Sequence, residues 1–203
     1  MQKAHRSLIS ALGLSLLLTT GHVFAQDSSK EADGAPKVTE QQVKKELSKW
    51  ALLGRKQIVY LTEQATAQYE KNLLDSKPNM PGAWMLMKDG KTVKHISIDD
   101  QAGDAPAQVR ILMYRAALKS IARRNEITAA VILYTGKVSE DSDEQALVIE
   151  HEHRLGISGN KVIPYEVKNG KVLYGEAVTS EKPFQIFYDS KSDAAAQRAK
   201  NAK

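Results

Sequence analysis

Two short dipeptides constrain the fold of this chain more than any other feature. Asp89-Gly90 and Asn169-Gly170 each separate two runs rich in apolar residues. Such dipeptides favour the type I′ turns of tight β-hairpins, and a two-residue turn fixes the register of the strands that it joins. The two turns predict four cross-strand pairs: Leu86 with Val93, Trp84 with His95, Val167 with Val172, and Tyr165 with Tyr174.

A long apolar stripe precedes the first hairpin. Thr39 and Gln42 fit a helix-capping box, and apolar residues then recur every three or four positions over about 35 residues, which predicts a helix roughly 50 Å long. Because glycine costs up to about 1 kcal/mol in a helix interior, we expect a break or kink at Gly54. An exposed part of the stripe would allow oligomerisation through this first helix. The stripe consists of Val43, Leu47, Trp50, Gly54, Ile58, Leu61, Ala65, Tyr69 and Leu73.

A second helix is predicted over residues 106–124, with Asp104 as its cap and Pro106 in its first turn. Its apolar face is expected to contain Val109, Leu112, Met113 and Ala116. The rest of the chain is rich in strand patterns. Residues 127–135 are apolar on both faces and predict a central strand, residues 137–144 form an acidic loop, and further strands are expected at 146–155 and 184–188.

This order of elements predicts an α+β fold. We expect a mainly antiparallel sheet of about five to seven strands, with two tight hairpins, packed on one face by the long N-terminal helix and the second helix. A single domain would span residues 39–188. The polar segment 26–38 is interpreted as a flexible leader, and residues 189–203 as a disordered or frayed helical tail.

The first 25 residues fit a secretory signal peptide. Lys3 and Arg6 precede a short apolar run at 8–18, and Val23 and Ala25 are the small residues of a cleavage site. A run of about 11 residues is too short to span a bilayer, which needs roughly 20. The pattern predicts an exported protein, periplasmic or extracellular, with no transmembrane segment in its mature form.

Composition excludes several classes of function. The chain has no cysteine, which excludes a lipoprotein anchor, disulfides, a thiolate zinc site and a cysteine nucleophile. The formal net charge is +5 and falls to +3 when Lys3 and Arg6 are removed with the signal peptide. This mild excess without a concentrated basic stripe predicts that nucleic acid is not a partner.

The candidate site lies in the segment "IEHEH" at 149–153. Alternate side chains of a strand share a face, so His151 and His153 should lie together on the apolar side. Glu150 and Glu152 should form a salt-bridged surface row on the other side. Two histidines at this spacing, with His95 from the first hairpin, have the ligand types of a zinc site with an open position. The spacing is short and common, however, so we favour the interpretation that the histidines simply pack, with a ring nitrogen satisfied by a hydrogen bond.

Known catalytic motifs are absent from the sequence. It therefore favours an exported soluble domain that is a non-catalytic binding or accessory protein of the periplasm or cell envelope, without a cofactor. Its partner would be an unknown protein or envelope component. The alternative is a metal-binding protein or metal-dependent hydrolase that uses His95, His151 and His153 with a transition metal such as zinc. The candidate ligand-binding residues are His151, His153, His95, Trp84, Tyr165 and Tyr174.

Overall fold

The computed structural model describes residues 39–75, 79–139 and 141–201. The predicted signal peptide and leader lie outside the described residues. The elements in chain order are α1 (Glu40–Leu74), β1 (Gly82–Met87), β2 (Val93–Ile96), α2 (Asp99–Ala102), α3 (Ala107–Arg123), β3 (Ile127–Lys137), β4 (Gln145–His153), β5 (Ile157–Lys168), β6 (Lys171–Tyr174), β7 (Val178–Glu181) and α4 (Lys191–Asn201). The α+β fold is confirmed.

The seven strands form one antiparallel sheet in the order β2-β1-β3-β4-β5-β6, and β7 pairs with the first part of β5. β3 is central, as predicted. All four predicted cross-strand pairs are present. Asn169 and Gly170 both have positive φ, at 52° and 70°, as a type I′ turn requires.

The first hairpin has the predicted register but not the predicted turn. Among its two turn residues only Gly90 has a positive φ, at 70°. The Asp89 carboxylate instead accepts hydrogen bonds from the backbone N–H groups of Lys91 and Thr92, both at 2.9 Å. This Asx-type bonding stabilises the turn with a negative φ at Asp89, so the type I′ prediction is wrong there.

The two main helices cover opposite faces of the sheet, which corrects the expectation of one covered face. Val131 and Leu133 of β3 pack in a core with α1, whereas Ala130 and Ile132 pack in a second core with α3. Because β3 is apolar on both faces, each face must be covered.

Helix α1 is one uninterrupted element, so the predicted break is wrong. Its capping box is present, with Gln42 N donating to Thr39 Oγ1 at 3.3 Å and Thr39 N donating to Gln42 Oε1 at 2.8 Å. A Cβ added to Gly54 would lie 2.8 Å from Ile157 Cδ1. Glycine at this position therefore allows α1 to approach β5 closely.

Helix α3 presents a different face from the predicted one. It begins after Pro106, and no side chain caps it, so Asp104 is not its cap. Val109 and Leu112 are 42% and 59% exposed. The buried positions are Arg110, Ile111, Tyr114, Leu118 and Ala122. Arg110 can be buried because its guanidinium donates to Asp99 Oδ1 at 2.8 Å and to the Gly103 carbonyl at 2.7 Å.

The C-terminal region also differs from expectation. Residues 184–188 are irregular, and the strand in this region is β7. Residues 191–201 form helix α4 in the segment interpreted as a disordered or frayed helical tail, and Ala194 is fully buried. Within the described ranges, no helix is long and apolar enough to cross a membrane.

Candidate functional site

The side chains of β4 alternate between the two cores as predicted. Leu147 and Ile149 lie in the core beneath α1, and strand alternation places His151 and His153 on the same face. The acidic residues on the opposite face are not a surface row, however. Glu150 is 3% exposed and Glu152 is fully buried, because α3 and the segment after β7 cover that face.

Glu152 is held by four hydrogen bonds. Its Oε1 accepts from Lys182 Nζ at 2.6 Å and from the backbone N–H of Gln185 at 2.8 Å. Its Oε2 accepts from the backbone N–H groups of Ile186 and Phe187, at 2.9 and 3.2 Å. A buried carboxylate needs such donors, so Glu152 fixes the backbone of the segment that follows Lys182.

Glu150 is also held by hydrogen bonds, which come from side chains of α3 and β3. Arg115 of α3 donates from Nε to Glu150 Oε2 at 3.1 Å and also binds Oε1. The Tyr134 hydroxyl donates to Oε1 at 3.1 Å. Burial and the Glu150 charge raise the pKa of Tyr134 to about 12, so the phenol remains a donor. Both acids of "IEHEH" therefore have structural partners.

His153 is also structural. It is 1% exposed. Its Nδ1 accepts from the Leu155 backbone N–H at 2.9 Å, which assigns the proton to Nε2, and Nε2 lies 2.7 Å from Gln57 Oε1 on α1. Burial, aided by the Arg154 charge, lowers the His153 pKa to about 4. The ring is neutral and joins β4 to α1.

His95 does not approach the other two histidines. His95 and His151 are three strand spacings apart, or roughly 14 Å. The strand pairings show this, because Trp84 pairs with both His95 and Val131, and Val131 in turn pairs with His151. Among the described residues, no group of three His, Asp or Glu side chains could hold a metal ion. The ligand set of the three-histidine alternative therefore does not converge.

The three aromatic candidate residues lie in two different environments, the core and a surface groove. Trp84 is 3% exposed and donates from Nε1 to Gln68 Oε1 at 2.8 Å, and its ring packs against His95 with centroids 4.9 Å apart. Trp84 is thus a core residue. Tyr165 and Tyr174 face each other on β5 and β6 and line a surface groove of about 630 Å³.

His151 lies in a different place, in a cavity of about 500 Å³. Its walls are α1, the start of β5, β7 with the residues that follow it, and α4. The cavity is lined by four basic side chains, Arg55, Lys182, Lys191 and Arg198, and we call it the cationic cavity. Among its described lining residues, Glu181 is the sole acid.

Two of these four basic groups are paired. Lys182 binds Glu152, and Lys191 Nζ lies 2.8 Å from Glu181 Oε2. Arg55 and Arg198 form no hydrogen bond or ion pair with any residue in the described part of the chain. The cavity therefore carries two guanidinium groups, one from α1 and one from α4, that have no anionic partner within residues 39–75, 79–139 and 141–201.

The His151 ring fits beneath a glycine. A Cβ at Gly159 would lie 2.9 Å from His151 Nε2 and 2.7 Å from the Ser180 carbonyl oxygen. Burial, with the positive charges of Lys182 and Lys161, lowers the His151 pKa. His151 is therefore neutral at pH 7 and offers a polar ring nitrogen to the cavity.

The sequence identified only one residue of this cavity. Arg55, Lys191 and Arg198 come from the first and last helices and are brought to His151 only by the tertiary fold. No local motif connects them, and the alternation of His and Glu in β4 was the single signal that pointed to this region.

Comparison of the chain with protein-family models, curated proteins and solved structures found no significant match. The function of the cationic cavity therefore has to be inferred from its own charge and shape.

Proposed function

We propose that the protein is an exported, non-catalytic binding or accessory protein of the periplasm or cell envelope, and that it binds a small anion in the cationic cavity. The observation that carries this proposal is the presence of Arg55 and Arg198 in one cavity without anionic partners among the described residues. Guanidinium groups bind carboxylate and phosphate through paired, charge-assisted hydrogen bonds.

The polar groups beside the arginines suit an anionic ligand. His151 supplies a neutral ring to the cavity, and Thr179 is also among the lining residues. The cavity volume of about 500 Å³ lies within the usual range for small-molecule sites. These groups can surround an anion from several sides.

A binding role is favoured over catalysis by how the acids and bases are used. Glu150, Glu152 and His153 are engaged by partners inside the fold. The acid that lines the cavity, Glu181, is exposed and paired with Lys191. General acid–base catalysis needs a positioned proton donor or acceptor with a suitable pKa, and His151 is the one candidate in the described lining.

Isothermal titration of the exported protein with inorganic phosphate tests the proposal. Arg55→Gln and Arg198→Gln should each weaken binding about tenfold or more, since a hydrogen bond to a charged group contributes roughly 1.5–3 kcal/mol. Arg123→Gln is the matched control, because Arg123 lies on α3 outside the cavity and is 66% exposed. Absence of binding at millimolar phosphate, or an equal effect of the control, would contradict the proposal.

A second candidate function is self-association through the first turns of α1. The apolar stripe is buried from Gly54 onward, but Leu47 of the stripe is 37% exposed, and the neighbouring Leu52 and Leu53 are 56% and 39% exposed. A second copy of this chain presents the same stripe, and a two-fold interface would bury both at once. The flanks of the stripe carry both Glu46 and Lys49, so an antiparallel copy brings charges of both signs to the interface.

Light scattering at several protein concentrations tests self-association. A dimer should form with the natural sequence and be lost with Leu47→Glu, whereas Lys45→Glu, on the same helix outside the stripe, should leave it intact. A monomer at all concentrations would exclude this second candidate.

A further inference from the structure

We infer that the ligand of the cationic cavity is an organic phosphate monoester with a short apolar body. This inference rests on the proposed function and specifies its ligand class. The lining of the cavity contains basic side chains, which we call its basic side, and apolar side chains, which we call its apolar side. The apolar side is formed by Ala51, Leu155, Ile157 and Phe184.

The apolar side is held in place by contacts within the fold. Phe184 lies between Lys182 and Gln185, which both donate hydrogen bonds to the buried carboxylate of Glu152. Its ring packs edge-to-face against Tyr188 with centroids 5.3 Å apart. Because its backbone and ring are both held, Phe184 offers a rigid surface to the ligand, which lowers the entropic cost of binding.

The basic side favours a dianion over a monoanion. A phosphate monoester carries about −1.5 to −2 charges and three terminal oxygens, which can bind Arg55 and Arg198 together. A carboxylate has one charge, which compensates only one of the two guanidinium groups. Lys191 adds a third cation on this side, since its pair with Glu181 is solvent-exposed, with side chains 72% and 82% accessible, and exposed pairs contribute little.

The neutral ring of His151 is compatible with this ligand. It adds no charge, but its ring N–H can donate a hydrogen bond to a phosphate oxygen. Gly159 leaves room for the ring. The ester oxygen and the apolar body would then extend toward Leu155, Ile157 and Phe184.

Calorimetric titration with three probes separates the two parts of the ligand. Phenyl phosphate carries both the dianion and an apolar ring, inorganic phosphate lacks the ring, and benzoate lacks the second charge. We expect phenyl phosphate to bind at least tenfold more tightly than either of the others. Phe184→Ala should remove most of that advantage while changing the affinity for inorganic phosphate less than twofold, and Phe184→Leu should give an intermediate loss.

Tyr174→Ala is the control, because Tyr174 is an aromatic residue of the separate groove beside β6. Phenyl phosphate binding no tighter than inorganic phosphate would overturn the inference about the ligand class, and so would equal weakening of both probes by Phe184→Leu. Benzoate binding as tightly as phenyl phosphate would likewise overturn the preference for a dianion. In each of these cases phosphate binding that depends on Arg55 and Arg198 would leave the proposed function standing, whereas failure of all three probes to bind would overturn both.

Discussion

Lys182 Nζ lies 2.6 Å from Glu152 Oε1 in the interior of the protein, where the two side chains are 7% and 0% exposed. This ion pair joins β4 to the segment that carries Phe184. Three backbone N–H groups complete the shell of the carboxylate. One strand residue therefore shapes both the second core and the apolar side of the cationic cavity.

Glu152→Gln should lower the free energy of unfolding by about 3–5 kcal/mol, because removal of one partner leaves the Lys182 ammonium buried and unpaired. Urea denaturation at pH 7.5 measures the loss. Glu166→Gln is the control, since Glu166 pairs with Lys168 on the surface and such pairs contribute at most about 1 kcal/mol. Equal losses for the two variants would mean that the buried pair has no special role.

His153 should make the protein less stable in mild acid. Its pKa is about 4 in the folded state and about 6.5 in the unfolded chain, so between these values the unfolded chain binds more protons. The contribution of neutral His153 is complete above pH 6.5 and is lost as the pH falls from 6.5 to 4, by up to about 3 kcal/mol. The lowered pKa of His151 acts in the same direction.

Urea denaturation at a series of pH values between 7.5 and 4.5 tests this prediction. His153→Gln should be less stable at pH 7.5 but should lose less stability on acidification than the natural sequence. His95→Gln, at an exposed position of β2, should retain most of the loss. An unchanged pH dependence in His153→Gln would show that other groups determine it.

Gly159→Ala should destabilise the protein by about 1–3 kcal/mol, as overpacking does, because the added methyl group would meet the Ser180 carbonyl and the His151 ring. It should also weaken phosphate binding, since both neighbours line or support the cationic cavity. Gly136→Ala is the matched control, because a Cβ there meets nothing within 4 Å. Thermal unfolding and titration of both variants measure the two effects.

Export should remove residues 1–25. Expression of the full chain in a bacterium with a periplasm should place the protein in that compartment, and mass spectrometry should show a chain that begins at Gln26. Ala25→Leu should block cleavage, because signal peptidase requires a small residue there. A cytoplasmic protein that retains Met1 or the residues after it would contradict the prediction.

The strand pairings could be predicted from the sequence because their determinants are local. An Asp-Gly or Asn-Gly turn sets the register of its own hairpin, and alternation sets the face of each side chain. This is why Trp84 was correctly placed opposite His95, and why His151 and His153 were correctly assigned to one face. The type of the first turn was not predictable in the same way, since the Asp89 side chain selects the backbone conformation.

The burial of charged residues could not be predicted because their partners are distant in the chain. Glu150 and Glu152 were expected on the surface, but Arg115 and Lys182 lie 35 and 30 positions away. The prediction of the buried face of α3 is wrong for a related reason. Arg110 occupies a buried position of this helix, whereas the apolar pattern assigned it to the solvent-exposed face. Residues 184–188 resemble a strand, yet the backbone N–H groups of residues 185–187 bind the Glu152 carboxylate instead of a neighbouring strand.

The close approach of Gly54 to Ile157 has a consequence for biogenesis. The two residues are separated by roughly a hundred positions, and α1 precedes β5 in a chain that is synthesised from its N-terminus. The apolar side of α1 therefore stays in contact with water until β5 is available to pack against it. On the export that we propose, α1 should need a holding chaperone in the receiving compartment, and folding should be delayed until β5 has been translocated.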